Sequence, residues 1–344
     1  MTKIAAKKIC VIRLSALGDV VHGSAFINGL RKGYPDAHIT WVLQPLTYDL
    51  VKNQKNVDRF IIFDRKGGKS SWDKLAEELK DEQFDLTLML QVSLKASMIS
   101  RLIKGGVKLG FDYRRSREAQ WLFSNCRIPH KNPAHVLDQF YEFLDYLEIE
   151  NYPVEWDFHF SEEELAFKSS FFEKIPRPVV GFVMASSKVE KDWGIENYAE
   201  VVNYVETSLN MQPMLIGGPS GKEKDMAAQI SALCKEKPVI ALEKPIRNTL
   251  LQLAGSKIVI APDTGPMHMA VALNVPTIAL YGYSDPRRCG PYGRFHDLLI
   301  DKYNLPGETK EKITRKTKKG RIDMINPADV IEKLELAKKT YLEK

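Results

Sequence analysis

The 344-residue sequence predicts an α/β fold of two Rossmann-like domains with a cleft between them, and three observations carry the prediction. Apolar, strand-like runs alternate with segments of helical spacing along most of the chain. The alternation stops at a polar, Phe-rich stretch (SEEELAFKSSFFEK) followed by the two-proline segment IPRP (175–178), and then restarts. The length suits two units better than one. Parallel strands need crossover connections, so alternating strands and helices imply parallel sheets covered by helices on both faces.

In the first half, strands are expected at 9–14, 38–43, 58–63, 84–90 and 107–110, with helices near 20–33, 72–82 and 94–104. In the second, strands at 179–184, 213–216, 238–241, 257–261 and 276–281 alternate with helices at 195–208, 222–235, 247–254 and 266–273. A last helix, 327–342, opens with a proline in its first turn, where the missing N–H costs nothing. The expected domains are 1–174 and 175–325, with a C-terminal helical segment, 326–344, that can pack back on the first domain.

The composition, 44% hydrophobic and 27% charged, is that of a globular protein. No apolar run approaches the ~20 residues of a membrane span. The basic N-terminus runs straight into a strand with no cleavable signal behind it, and the four cysteines (Cys10, Cys126, Cys234, Cys289) form no C-x-x-C pair. Together these point to a cytoplasmic protein with free thiols. The net charge of +6 is unevenly spread: KEKITRKTKKGR (310–321) holds seven basic residues against one acid, and DYRRSRE (112–118) holds Arg114, Arg115 and Arg117. Such clusters suit an anionic membrane surface or a phosphorylated substrate, or are simply solvated. No nucleic-acid-binding motif accompanies them, so nucleic acid is not an expected partner.

Ligands of doubly wound sheets bind at the carboxyl ends of strands, which directs attention to the strand-to-helix turns. In APDTGPMHMA (261–270), Asp263 or Thr264 can cap a helix that has Pro266 in its first turn. The amides of Thr264, Gly265, Met267 and His268 then converge with the positive end of the helix dipole, a site for a diphosphate. Standing alone, His268 reads first as a packed or surface histidine. In VMASSKVEKDWGIENY (183–198), Ser186 and Ser187 can donate to phosphate oxygens, and Lys191 can neutralise charge on a departing phosphate. Trp193 either meets a ligand or anchors the loop. LIGGPSGKEKD (215–225) resembles a P-loop, but Ile216 stands at the first glycine position and Glu223 replaces the Ser/Thr, which excludes that reading. Glu223 can instead bond ribose hydroxyls, although a solvated glutamate at a helix start fits equally. In RLSALGDVVHG (13–23), a carboxylate at Asp19 would repel a phosphate but can accept a proton; a purely capping role fits it as well.

Taken in this order, three segments resemble glycosyltransferase family 9, the lipopolysaccharide heptosyltransferases. They are RLSALGDVVH (13–22), ASSKVEKDW (185–193) and, most specific, APDTGPMHMAVAL (261–273); SREAQWL (116–122) is similar to a family segment with an Arg-Glu pair. The resemblance implies a GT-B fold, with an acceptor-binding N-terminal domain and a nucleotide-sugar-binding C-terminal domain. It implies transfer of heptose, with inversion, from ADP-L-glycero-β-D-manno-heptose to the Kdo/heptose inner core of lipopolysaccharide. Carried over, Asp19 is the base and Lys191 steadies the leaving group. Ser186, Ser187, Trp193, Glu223, Asp263, Thr264, Gly265 and His268 bind the donor. Arg65, Lys66, Lys69 and Arg117 meet the anionic acceptor, Kdo2-lipid A or its heptosylated form. Neither a metal nor another cofactor is implied, and the chain contains no D-x-D pair. The basic 310–321 run would draw the enzyme to the anionic cytoplasmic face of the inner membrane. Alternatives are the same scaffold with another nucleotide sugar or core acceptor, a nucleotide-sugar 2-epimerase, or a non-catalytic ADP-sugar-binding protein. An NAD-dependent oxidoreductase is disfavoured, since no G-x-G-x-x-G follows either leading strand.

Overall fold

The computed structural model describes residues 4–152, 154–308 and 312–343. The chain divides into two compact units, Met1–His159 and Phe160–Lys344. The first unit runs β1 (Lys8–Ile12), α1 (Leu17–Gly33), β2 (His38–Leu43), α2 (Pro45–Val51), β3 (Arg59–Ile62), α3 (Gly68–Leu79), β4 (Leu86–Met89), α4 (Leu94–Leu102), β5 (Val107–Gly110), β6 (Cys126–Arg127) and α5 (Val136–Tyr146). Its sheet has the order β3-β2-β1-β4-β5-β6, and every pairing is parallel.

The second unit opens with α6 (Glu162–Phe172) and continues β7 (Val179–Val183), α7 (Ile195–Thr207), β8 (Gln212–Gly217), α8 (Gly221–Leu233), β9 (Val239–Leu242), α9 (Ile246–Gly255) and β10 (Ile258–Pro262). It ends with α10 (Gly265–Ala272), β11 (Thr277–Tyr281), a short α11 (Pro286–Cys289), β12 (Leu299–Asp301) and α12 (Pro327–Ala337). Its parallel sheet, β12-β11-β10-β7-β8-β9, repeats the order of the first: the leading strand lies at the centre beside the fourth. In each unit the strand order therefore reverses between those two strands, and a doubly wound sheet binds its ligands outside that switch point.

The central strands are buried on both faces, which is why they read as continuous apolar runs rather than alternating ones. In the first unit α1 is covered by the sheet on one side and by α5 on the other, with Phe26 and Phe140 edge to face at 6.4 Å. Its glycines make room for this: a Cβ at Gly23 would come within 2.9 Å of the Trp41 ring, and one at Gly29 within 2.6 Å of Leu144. All four cysteines are free. Among the described residues no helix is long and apolar enough to cross a membrane.

Two boundaries differ from the sequence expectation. The division falls before α6, not at 174/175, because Glu164 on α6 forms a bidentate pair with the buried Arg247 of α9, at 2.7 and 2.6 Å. The C-terminal segment belongs to the second unit, within which α12 packs on α7 and Tyr204 donates to Glu335 at 2.5 Å.

Candidate active site

In the first unit, the turn after β1 carries Asp19 into the first turn of α1. Its Oδ2 accepts the Ala16 N–H at 3.2 Å and is ion-paired with Arg13. The other arm of Arg13 donates to the Leu90 carbonyl at 2.8 Å, and the guanidinium lies over the Phe140 ring at 5.3 Å. Leu90 and Gln91 follow β4, so Arg13 ties the two strand ends that flank the switch point. Gln91 reinforces the tie by accepting the N–H groups of Leu14 and Ser15 at 2.8 and 3.3 Å. Gln120, fully buried, donates to the carbonyls of Met89 and Gln91. The Asp19 side chain keeps 27% of its surface exposed, so the carboxylate is fixed in place yet open to a ligand.

Arg65 and Lys66 stand exposed on the turn between β3 and α3, Lys69 is exposed in the first turn of α3, and Arg117 is exposed beyond β5. No contact joins them to Asp19 among the described residues. Of the arginines in DYRRSRE, Arg115 is half-buried and engaged with Asp112 and Glu142, leaving only Arg114 and Arg117 as free surface charge.

In the second unit the ends of β7 and β10 meet at Asp263. Lys191, on a single turn of 3-10 helix, reaches both the Asp263 carboxylate (2.6 Å) and its carbonyl (3.0 Å). Ser284 donates to the same carboxylate, Tyr281 lies within 3.4 Å, and His268 Nε2 is 3.8 Å away. Burial alone would push the Asp263 carboxyl up, but His268 and the Lys191 ammonium outweigh it and hold the group far below the usual carboxylate range. Asp263 also helps push the Cys289 thiol up to about 12, after burial itself. Thr264 is the N-cap of α10 and Gly265 its first residue; the Thr264 hydroxyl has no hydrogen-bond partner among the described residues. Ser187 is exposed, whereas the Ser186 amide is held by Asp192 at 2.8 Å and the Ser186 carbonyl by Lys222 at 3.0 Å. The result is a cation and a helix N-terminus gathered at one switch point, an arrangement suited to a diphosphate.

Two donor candidates have other duties. Trp193 is completely buried; its indole N–H donates to the Ile325 carbonyl at 2.8 Å and its ring meets Tyr198 edge to face, so it anchors the loop. Glu223 closes the β8–α8 turn, accepting the Gly218 N–H at 2.7 Å and the Ser220 hydroxyl at 2.6 Å. The basic run is also partly spent: Lys318 and Arg321 pair with Glu308, and Lys319 with Glu190. Lys310 of that run lies outside the described residues. Arg13, Gln91, Ser284 and Lys222 join these sites without being singled out by the sequence. Only Arg13 carried a signal, as a charge directly after a buried apolar strand.

Residues 72–318 match the family described as glycosyltransferase family 9 (heptosyltransferase). The chain is 34% identical over 296 residues to the lipopolysaccharide core heptosyltransferase OpsX of Haemophilus influenzae, covering 86% of this chain and 84% of that one. The chain belongs to glycosyltransferase family 9. Among solved structures, a family 9 glycosyl transferase from Veillonella parvula superposes with a TM-score of 0.84 at 25% identity, over 96% of this chain and 97% of that one. The ADP-heptose lps heptosyltransferase II of E. coli follows at 0.74 and 22%, over 96% and 98%, a likeness of fold alone. As a family 9 member the protein is a glycosyltransferase of the GT-B class. The matched span takes in the Lys191 and Asp263 turns of the family 9 chain but begins after Asp19.

Proposed function

We propose that this glycosyltransferase moves L-glycero-D-manno-heptose from its ADP-linked donor to the Kdo/heptose inner core of lipopolysaccharide, with inversion. The convergence of Lys191, Asp263 and the α10 N-terminus at the second switch point carries this reading; the name of the 34%-identical relative supports the acceptor. In the reaction Asp19 takes the proton of the acceptor hydroxyl as its oxygen attacks the anomeric carbon. The bond from that carbon to the diphosphate breaks, and its electron pair leaves with ADP. Lys191, the Ser187 hydroxyl and the helix amides at Thr264 and Gly265 meet the developing charge, which is where preorganised donors lower a barrier most. The Asp263 carboxylate, already saturated by its neighbours, holds Lys191 in place. The exposed Arg65, Lys66, Lys69 and Arg117 meet the acceptor's phosphates and carboxylates, and the basic run from Lys312 to Arg321 faces the anionic cytoplasmic leaflet.

Mass spectrometry of deacylated Kdo2-lipid A, incubated with ADP-heptose and enzyme, tests the reading beside Asp19→Ala. A heptose adduct is expected with the native enzyme only. General-base contributions of about 10²–10⁴-fold put the variant at or below background. ADP affinity should stay within a few-fold; loss of ADP binding in the variant would remove Asp19 from the role of base. No adduct with either protein would turn the search to other donors or longer core acceptors.

A further inference from the structure

We infer that Lys188 is a second cation for the donor's diphosphate, held over the Tyr283 ring beside Lys191. The inference rests on the proposed diphosphate site and adds a residue to it. Lys188 and Lys191 stand at the two ends of a single turn of 3-10 helix, in which the Lys188 carbonyl accepts the Lys191 N–H at 3.0 Å. The Ser186 hydroxyl fixes the start of this turn, accepting the Lys188 N–H at 3.1 Å and donating to the Lys188 carbonyl at 2.5 Å. Both ammoniums approach the same aromatic ring: Lys188 Nζ lies 5.3 Å from the centre of Tyr283, and Lys191 Nζ 5.9 Å. Lys188 Nζ also donates to the Tyr283 hydroxyl, over a long 3.4 Å. Tyr283 is itself buried, and its carbonyl accepts the Lys318 N–H at 2.9 Å, so the ring is a fixed platform.

Charge decides what Lys188 is for. Around this turn Lys191 is paired with Asp263 at 2.6 Å, Lys222 with Asp192 at 2.5 Å and Lys319 with Glu190 at 3.2 Å. Each pair is neutral as a unit, so none of them brings a net positive charge to the diphosphate. Lys188 is exposed and, among the described residues, forms no ion pair; Glu190, whose charge it feels, is already engaged by Lys319. The α10 N-terminus contributes only about half an elementary charge. A nucleotide diphosphate is an anion that gains further charge as its bond to the sugar breaks, and Lys188 is the ammonium left to balance it. An ammonium over one ring face at an exposed site is held weakly, so phosphate oxygens can draw it away at small cost. The long, flexible stem of lysine lets that compact charge move while the backbone of the turn stays fixed.

Calorimetric titration of the full chain with ADP and with adenosine tests the inference without sugar or acceptor. Lys188→Gln should weaken ADP about ten-fold, the scale of one charge-assisted hydrogen bond, and adenosine by less than about two-fold. Lys188→Arg keeps the charge and should recover most of the ADP affinity. The ADP gap between the native chain and Lys188→Gln should narrow as salt is raised. Lys188 is exposed, so the melting temperatures of the three proteins should coincide. An ADP affinity unchanged in Lys188→Gln would return the residue to the solvated surface and overturn the inference. Equal losses for ADP and adenosine, or a loss that Lys188→Arg shares in full, would overturn it as well, because either would make Lys188 a support for the loop. A native chain that binds neither ligand would overturn the nucleotide reading and this inference with it. Failure of the heptosyl-transfer assay leaves each of these outcomes readable.

Discussion

Arg13 and Asp19 form an ion pair at the first switch point. A guanidinium has donors on separate arms, so one side chain can hold the Asp19 carboxylate and the Leu90 carbonyl together. Lysine brings only a point charge and cannot span both acceptors in one geometry. Arg13→Lys is therefore expected to lower kcat by roughly 10–100-fold, the scale of losing an orienting partner. ADP affinity should move less than about two-fold, because the proposed diphosphate site is built from other residues. Steady-state kinetics beside calorimetric ADP titration separates the two effects; equal losses in both would mean that Arg13 supports the fold rather than the base. Trp193 gives the opposite lesson at this scale. Its place after Lys191 suggests a ligand contact, but a large aromatic ring is also the most effective anchor a loop can bury.

The legible elements are those with long, one-sided or uniform patterns, although α5, amphipathic and largely buried, has no counterpart among the expected helices. The central strands of both sheets were visible because burial on two faces leaves uninterrupted apolar runs, and the helices between them kept helical spacing. Strands of two or three residues, such as β6 and β12, are too short to carry a period. Helix α6 is not legible because none of its residues is fully buried and no face is apolar, although Ser161 and Glu164 form a capping box at its start. The basic run hid its partners too, since Glu308 and Glu190 lie elsewhere in the chain. Glu308 accepts from Arg321, Lys318 at 2.9 Å and the Leu305 N–H at 3.2 Å, and these bonds pull its carboxyl from the usual 4.5 down to about 2. Folding lowers this value, so the stabilisation is complete above the unfolded value and disappears as the pH falls through the folded one. The melting-temperature gap between the native chain and Glu308→Gln should be present near neutral pH and close between about pH 4.5 and pH 2. Because the group is at the surface, added salt should shrink the gap at neutral pH. A gap that persists unchanged at pH 2 would mean that Glu308 holds this segment by something other than charge.

At the scale of the whole molecule, the same six-stranded order occurs twice, and the question is where one unit ends and the next begins. The prolines at 176 and 178 mark a break in chain direction, but they do not mark where packing changes. Phe172 lies against Gly255, where any side chain would overlap its ring, and Phe160 lies under the Arg247 guanidinium at 5.1 Å. Arg247 is only 1% exposed and is ion-paired with Glu164 at 2.6 Å. Stripping one partner from a buried pair costs about 3–5 kcal/mol, much of it the penalty for leaving the other charge alone. A fragment spanning 160–344 is therefore expected to melt cooperatively and to bind ADP, whereas 175–344 should lose at least that much stability. Chemical denaturation of the two fragments, beside Glu164→Gln in the full chain, separates the ion pair from the rest of α6. Equal stability of the fragments would return α6 to the first unit. A loss confined to the shorter fragment and to Glu164→Gln would make the second Rossmann-like unit begin at its own buried charge rather than at the prolines.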